Sequence, residues 1–180
     1  MRSLLPFTLL ALGCQSSASA PAPARRVIEV READGTISAR IVPGHPCRAV
    51  VDSRELLVGG RPLVAQLGAT RWTGQDLANG TTLSQNDSPV ARIHAKQLFD
   101  AEGLPILRVM DNGDIVDPTG RVARKATFEG TTVAIGDKKI TGLTGSTDDL
   151  ALAAMLTAPG VGAEIRALAA CHYLLPETKL

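Results

Sequence analysis

LFDAEGLPILRVMDNGDIVDPTGRVARKATFEGTTVAIGDKKITGL is the stretch from Leu98 to Leu143, and it decides the fold. Short apolar runs alternate in it with five turn signals, which are Glu102-Gly103, Asn112-Gly113, Pro118-Thr119-Gly120, Glu129-Gly130 and Gly136-Asp137. Glycine and asparagine reverse the chain at low cost, and Asn-Gly between apolar runs is typical of a β-hairpin. The stretch therefore predicts a β-meander.

The same rhythm extends upstream to Arg26. Asp34-Gly35, Gly59-Gly60 and Asn86-Asp87-Ser88 each lie between short apolar runs, and each predicts a further hairpin. The segment from Thr70 to Thr82 is the least regular, because it scatters Gly, Asn and Asp around the single Trp. We predict a long loop there, with at most a short strand or a turn of helix.

The period changes in the last quarter of the chain. Ser146 is a suitable N-cap with Asp149 three residues later, and Ala158-Pro159-Gly160 ends the helix that this cap predicts. A second helix is predicted from Gly162 to Leu175, where Pro176 stops it. Its apolar stripe has helical spacing and consists of Val161, Ile165, Leu168, His172 and Leu175.

These patterns predict an α+β protein that is mainly β. We expect an antiparallel β-hairpin meander, in the form of a sandwich, a small barrel or a short solenoid, with two short C-terminal helices. The expected organisation is a signal peptide at 1–13, a tether at 14–25, a β-meander domain at 26–145 and a helical pair at 146–176 packed on the sheet.

Composition argues against two classes of ligand. Lys and Arg number 19 against 18 Asp and Glu, which gives a net charge of +1 and no basic footprint for a nucleic acid. Aromatic residues make up 3% of the chain, too few for the exposed rings on which sugars or bases stack.

The N-terminus has the features of an export signal. Met1-Arg2 is a short positive start, and an apolar run of about ten residues follows from Leu4 to Gly13. Spanning a bilayer takes about 20 residues, so this run has the length of a signal-peptide core instead. Gln15 to Ala24 is rich in Ser, Ala and Pro, which predicts an extended tether of up to about 30 Å.

Ala11-Leu12-Gly13-Cys14 resembles the lipobox of bacterial lipoproteins. The resemblance implies that Cys14 is lipidated and becomes the mature N-terminus, and that the membrane is a partner through this lipid. Gln15 is, by the same resemblance, compatible with the outer membrane and a domain facing the periplasm. Ordinary secretory cleavage after Ala18-Ser19-Ala20 stays open as an alternative.

The domain itself has a looser resemblance. Phe99 to Gly103 and Val116 to Gly120 share an apolar residue followed by Asp-x-x-Gly, as in short hairpin repeats of bacterial envelope proteins. Asp111 to Asp114 is rich in oxygen ligands, but it lacks the loop length of a calcium site and has the residues that a tight turn needs.

Two cysteines remain after Cys14. Cys47 lies in a Pro/Gly loop and Cys171 on the last helix, and in an exported chain they predict a disulfide. Two unpaired buried thiols are an alternative. A zinc set of His45, Cys47, Cys171 and His172 is another, although its spacing matches no standard zinc signature.

No pattern identifies a catalytic residue. Asp76, Asp87 and Ser84 could accompany His94 in a hydrolase triad, but no G-x-S-x-G elbow is present. Gly59-Gly60-Arg61 lacks the Lys-Ser/Thr of a phosphate loop, and we expect no cofactor.

The sequence therefore predicts a lipid-anchored cell-envelope protein that acts as a structural or binding module, with an envelope protein or peptidoglycan as candidate partner. The alternative is a small periplasmic metal- or thiol-dependent hydrolase built on His45, Cys47, Cys171 and His172.

Overall fold

The computed structural model describes residues 26–175. Strands fill the chain up to Thr141, and two helices follow. The strands are β1 Ile28–Arg31, β2 Ile37–Val42, β3 Cys47–Val51, β4 Arg54–Val58, β5 Leu63–Leu67, β6 Thr70–Leu77, β7 Gly80–Gln85, β8 Ser88–His94, β9 Gln97–Asp100, β10 Pro105–Val109, β11 Asp114–Val116, β12 Val122–Glu129, β13 Thr132–Ile135 and β14 Lys138–Thr141. The helices are α1 Thr147–Leu156 and α2 Ala163–Leu174.

The strands form one antiparallel sheet of 14 strands that curls into a nearly closed barrel. Consecutive strands pair with each other except β4 and β5, which are the two edges of the sheet, and β1 also pairs with β14, with Val30 opposite Ile140. The two ends of the sheet meet where β4 leads into β5. There Gly59 and Val64 exchange two backbone hydrogen bonds of 2.8 and 3.1 Å. The predicted class, α+β and mainly β, is confirmed, in its barrel form.

Antiparallel pairing places the connections alternately at the two ends of the barrel. We call the end at which β1 begins the lower rim, and the opposite end the upper rim. The turn after every even-numbered strand lies at the lower rim. Helix α1 follows β14, so it starts at the lower rim, and α2 returns to it.

The two helices fill the inside of the barrel. A barrel of about eight strands is filled by its own side chains, so 14 strands leave a wider lumen. Helix α1 is apolar on all sides beyond its first turn, as a helix without a solvent-facing side must be, and residues 149–156 are all buried. It packs on β10, β12 and β13, while α2 packs on β2, β3 and β4.

Small side chains let both helices fit into this space. Six alanines of the helices are fully buried, namely Ala151, Ala153, Ala154, Ala167, Ala169 and Ala170. The wall contributes alternate residues of its strands, such as Ile41, Leu56, Leu83 and Ile135. The core is therefore made almost entirely of aliphatic residues, as the scarcity of aromatic residues requires.

The predicted cap of the first helix is confirmed. Ser146 is the N-cap of α1, and Asp149 reaches back over the turn before the helix. Its Oδ2 accepts hydrogen bonds from the backbone nitrogens of Thr144, Gly145 and Ser146 at 2.7, 2.7 and 3.0 Å, and from the Thr144 hydroxyl at 2.7 Å. One buried carboxylate thus fixes the passage from β14 into the lumen.

Arginines satisfy the carbonyl ends of both helices. At the end of α1, Arg124 donates to the Thr157 carbonyl at 2.9 Å and Arg166 to the Leu156 carbonyl at 3.2 Å. At the end of α2, Arg61 donates to the His172 carbonyl at 2.7 Å. The last carbonyls of a helix have no partner within it and carry partial negative charge, so these partly buried guanidinium groups stabilise both ends.

The prediction of a long loop from Thr70 to Thr82 is wrong. The segment forms the hairpin of β6 and β7, with Leu77 opposite Gly80 and a loop of Ala78 and Asn79 between them. Gly74 interrupts the alternation of apolar and polar residues that would have predicted this strand, because it occupies an inner-face position where an apolar residue is expected. A Cβ at Gly74 would lie 2.8 Å from the Leu63 Cδ1, so the close packing of β5 on β6 requires glycine.

The oxygen-rich segment from Asp111 to Asp114 forms the turn between β10 and β11. The Asn112 Oδ1 accepts a hydrogen bond from the Asp114 backbone nitrogen at 3.0 Å, and Gly113 has a φ of +86°. Turn chemistry therefore accounts for these residues.

Candidate functional site

A cleft of about 630 Å³ opens at the lower rim, beside the C-terminal end of α2. The turn from β4 to β5, the ends of β6 and β8, the start of β7 and helix α2 each contribute to it. Its lining consists of Arg61, Pro62, Gln75, Asp76, Leu77, Gly80, Thr81, Ile93, Ala95 and His172.

The hairpin of β6 and β7 places the first two polar groups of the cleft. Asp76 and Thr81 are register partners across it, and the Thr81 hydroxyl donates to the Asp76 Oδ1 at 2.5 Å. The other carboxylate oxygen, Oδ2, accepts from the Arg61 Nη1 at 3.0 Å. Asp76 therefore joins the hairpin to the turn after β4.

Helix α2 contributes the third polar group, the imidazole of His172. Its Nδ1 lies 3.3 Å from the Thr81 Oγ1. Because the only proton of that hydroxyl is donated to Asp76, the Nδ1 carries the proton of this contact, and the network assigns the Nδ1–H tautomer. The Nε2 of the neutral ring is then a hydrogen-bond acceptor.

Arg61 lies beneath these groups and holds the helix in place. Its Nη2 donates to the carbonyls of His172 and Leu175, at 2.7 and 3.4 Å. Only 11% of its side chain is exposed, against 48% for Asp76. The cation is thus the buried member of the pair and the carboxylate is the accessible one.

The site sets different protonation states for its two titratable groups. Burial opposes the charge of Asp76, but hydrogen bonds from Thr81 and Arg61 outweigh it and lower the pKa of the carboxyl. Burial and the nearby charge of Arg61 lower the pKa of His172 to about 4, against the opposing effect of Asp76. At neutral pH the cleft therefore presents an ionised carboxylate and a neutral imidazole.

The arrangement is suited to binding. Thr81 is 3% exposed and its proton is engaged by Asp76, so it is not placed as a nucleophile. Within residues 26–175, no group of three or more His, Cys, Asp or Glu side chains is arranged to hold a metal ion.

The two cysteines of the domain are joined to each other. Cys47 at the start of β3 and Cys171 on α2 form a disulfide with a Cα–Cα distance of 5.9 Å, and both residues are fully buried. It links the wall to the helix that fills it. Cys14, where we predict lipidation, lies outside the described residues.

The structure does not assemble the zinc set of His45, Cys47, Cys171 and His172. Both sulfurs are bonded to each other, and His45 is exposed in the turn between β2 and β3. The His172 ring points its Nδ1 at Thr81 instead. The two thiols are not available as metal ligands, because the disulfide has consumed them.

Sequence reasoning missed how the cleft is assembled. It considered Asp76 as a partner of His94, whereas the structure links it through Thr81 to His172. One signal was present: a hairpin with Asn79-Gly80 at its turn would have placed Asp76 opposite Thr81. Nothing local pointed to Arg61, which lies 111 residues from its acceptor His172.

The chain matches no protein-family model, no curated protein and no solved structure. Across residues 26–175, neither helix has both the length and the apolar character needed to cross a membrane.

The depressed pKa of His172 predicts a specific loss of stability in acid. The pKa is about 4 in the folded protein against an ordinary 6.5, so the unfolded chain binds more protons between these values. The contribution of the neutral His172 to the free energy of unfolding is therefore fully present above pH 6.5. It is lost as pH falls towards 4, by about 2–3 kcal/mol in total.

Urea unfolding of wild type and His172→Gln from pH 7 to 4.5 measures this effect. Carboxylates with a lowered pKa, such as Glu29 and Glu32, lose their contribution only around and below their ordinary value of 4.5. The slope between pH 6.5 and 5 should therefore be reduced in His172→Gln. Equal slopes in both proteins would show that His172 is not buried as a neutral ring.

Proposed function

We propose that this protein is a lipid-anchored cell-envelope protein that acts as a binding module, with the lower-rim cleft as its ligand site. The observation that carries the proposal is the accessible, ionised Asp76 held by Thr81 and by the buried Arg61. Its position is fixed by groups that also hold helix α2. Such a preorganised polar group in a partly apolar cleft is typical of a binding site.

Two features support export to the envelope. The leader up to Gly13 and the cysteine that follows it have the pattern of a lipoprotein signal. The disulfide between Cys47 and Cys171 belongs to an oxidising compartment, because thiols in the cytosol are kept reduced.

The fold also relates the site to the anchor. Strand β1 starts at the lower rim, so the predicted tether joins the domain at the same rim as the cleft. A tether of up to about 30 Å keeps that rim within reach of the membrane surface and of an envelope partner such as peptidoglycan or another protein.

No observation favours the alternative of a metal- or thiol-dependent hydrolase. Cys47 and Cys171 are fully buried and bonded to each other, which leaves neither as a nucleophile.

Labelling with radioactive palmitate tests the anchor. We expect wild type to incorporate the label and to sediment with membranes, because Cys14 carries the lipid. Cys14→Ser should be unlabelled, and the double variant Cys47→Ala/Cys171→Ala is the matched control that retains the label. A mature wild-type protein that begins at Pro21 would overturn lipid anchoring, since cleavage would then have followed Ala20.

A further inference from the structure

The accessible charge of the lower-rim cleft is negative. The cleft contains one cation and one anion, Arg61 and Asp76, and the anion is the more exposed by 48% to 11%. The Nη1 and Nη2 of Arg61 are already engaged by Asp76 and by the carbonyls at the end of α2, and its Nε, which has no partner among residues 26–175, is buried away from the solvent. An anionic ligand therefore finds no free cation at this site, whereas a cationic ligand finds a carboxylate.

The cleft also offers unused hydrogen-bond acceptors. Each carboxylate oxygen of Asp76 accepts one hydrogen bond from the described residues, from Thr81 and from Arg61. An ionised carboxylate has about four acceptor positions, so about two remain for a ligand. The Nε2 of His172 accepts no hydrogen bond from residues 26–175 and is an acceptor in the assigned tautomer. The ligand must therefore be a hydrogen-bond donor.

Apart from Gln75 and Gly80, the remaining lining residues of the cleft are apolar. Pro62, Leu77, Ile93 and Ala95 line it, and Leu77 is 49% exposed although it is a large apolar side chain. The volume of about 630 Å³ is much larger than a single ammonium group requires. These walls suit the methylene groups of an aliphatic chain.

We propose that the cleft binds a primary ammonium group on an aliphatic chain, with Asp76 as the counter-charge and His172 as a second acceptor. A compact ammonium has three donors that rotate freely, which is enough to bond to more than one acceptor. The inference rests on the proposed function as a binding module and names its ligand class. The ammonium belongs either to a free diamine or to a lysine or other diamino-acid side chain of a peptide.

Titration calorimetry on the full-length protein in detergent tests the inference at pH 7.5 and constant ionic strength. The probes are 1,5-diaminopentane for the free diamine and Nα-acetyl-lysine amide for the peptide side chain. The controls are 1-pentanol, which lacks the charge, and sodium acetate, which reverses it. We expect saturable binding of at least one amine and none of either control.

Variants of the site locate the binding. Asp76→Asn should weaken amine binding by about tenfold to a hundredfold, because it removes a charged acceptor. Asp87→Asn is the matched control, since Asp87 is an aspartate with 84% of its side chain exposed, in the turn between β7 and β8 at the other rim. Leu77→Lys leaves the Asp76 network intact and places a tethered ammonium at the cleft, so it should also weaken binding at least about fivefold by competition.

The outcomes distinguish a free diamine from a peptide side chain, and they test the ammonium ligand separately from the lipid anchor. Binding of 1,5-diaminopentane alone supports a free diamine, and binding of both amines supports a peptide side chain. Absence of binding of both amines at about 10 mM, or binding of acetate in their place, overturns the inference. So does amine binding that neither Asp76→Asn nor Leu77→Lys weakens. None of these results bears on Cys14, whose lipid is measured separately.

Discussion

Removal of the disulfide between Cys47 and Cys171 is expected to lower the free energy of unfolding by about 5 kcal/mol. The bond closes a loop of 124 residues, nearly the whole folded domain, so breaking it greatly increases the freedom of the unfolded chain. A loss of this size is a large fraction of the 5–15 kcal/mol that stabilises an ordinary domain, and should lower the melting temperature by roughly 10–20 °C.

The double variant Cys47→Ala/Cys171→Ala, compared with wild type with and without reductant, measures this contribution by urea unfolding. Reduced wild type should resemble the double variant, and Cys14→Ser should resemble oxidised wild type because it keeps the bond. Alkylation of the native protein without reductant is the independent check. Two modified cysteines in that experiment would show that the thiols are free and would contradict the expected loss.

Asp149→Ala is expected to destabilise the protein by about 3–5 kcal/mol, because it removes a buried charged acceptor and leaves its hydrogen-bond donors without a partner. The Asp149 Oδ2 accepts four hydrogen bonds, three of them from backbone nitrogens of Thr144, Gly145 and Ser146. Asp149 is only 8% exposed, so water replaces these bonds poorly after truncation. The result would be a loosened entry of α1 into the barrel.

Asp148→Ala is the matched control, because Asp148 is the neighbouring aspartate of the same helical turn and is exposed. It should cost no more than about 1 kcal/mol, from its interaction with the helix dipole. Asp149→Asn should fall between the two variants, since it keeps an acceptor oxygen but not the charge. Equal melting temperatures for Asp148→Ala and Asp149→Ala would contradict the role of the buried carboxylate.

The strands of the barrel wall could be predicted because short stretches of sequence determine where each strand begins and ends. Pairs such as Asn112-Gly113 and Asp34-Gly35 specify reversals by their own backbone preferences, and the runs between them have the length of strands. The cap at Ser146 and the stop at Pro159 are equally local signals. Gly74 interrupted the pattern because its glycine is required by the side chain of Leu63 on the adjacent strand, which the sequence does not place beside it.

Closure of the barrel and the filling of its lumen depend on contacts between distant parts of the chain. The sequence predicted the two helices, but not that they lie inside the wall, with α1 against β10, β12 and β13 and α2 against β2, β3 and β4. The cleft depends on the same closure. Arg61 contacts His172 only because α2 returns to the lower rim. No sequence pattern predicts this contact, since the two residues are far apart in the chain.

The pairing of β1 with β14 has a consequence for the order in which the protein acquires its structure. Strand β1 pairs early with β2, but its second partner, β14, is more than 100 residues later in the chain, with Val30 opposite Ile140, and the helices that occupy the lumen come later still. A growing chain can form single hairpins, but it cannot complete its hydrophobic core until α2 has been made. The topology thus leaves the nascent chain without a closed barrel, and without a filled lumen, for most of its synthesis.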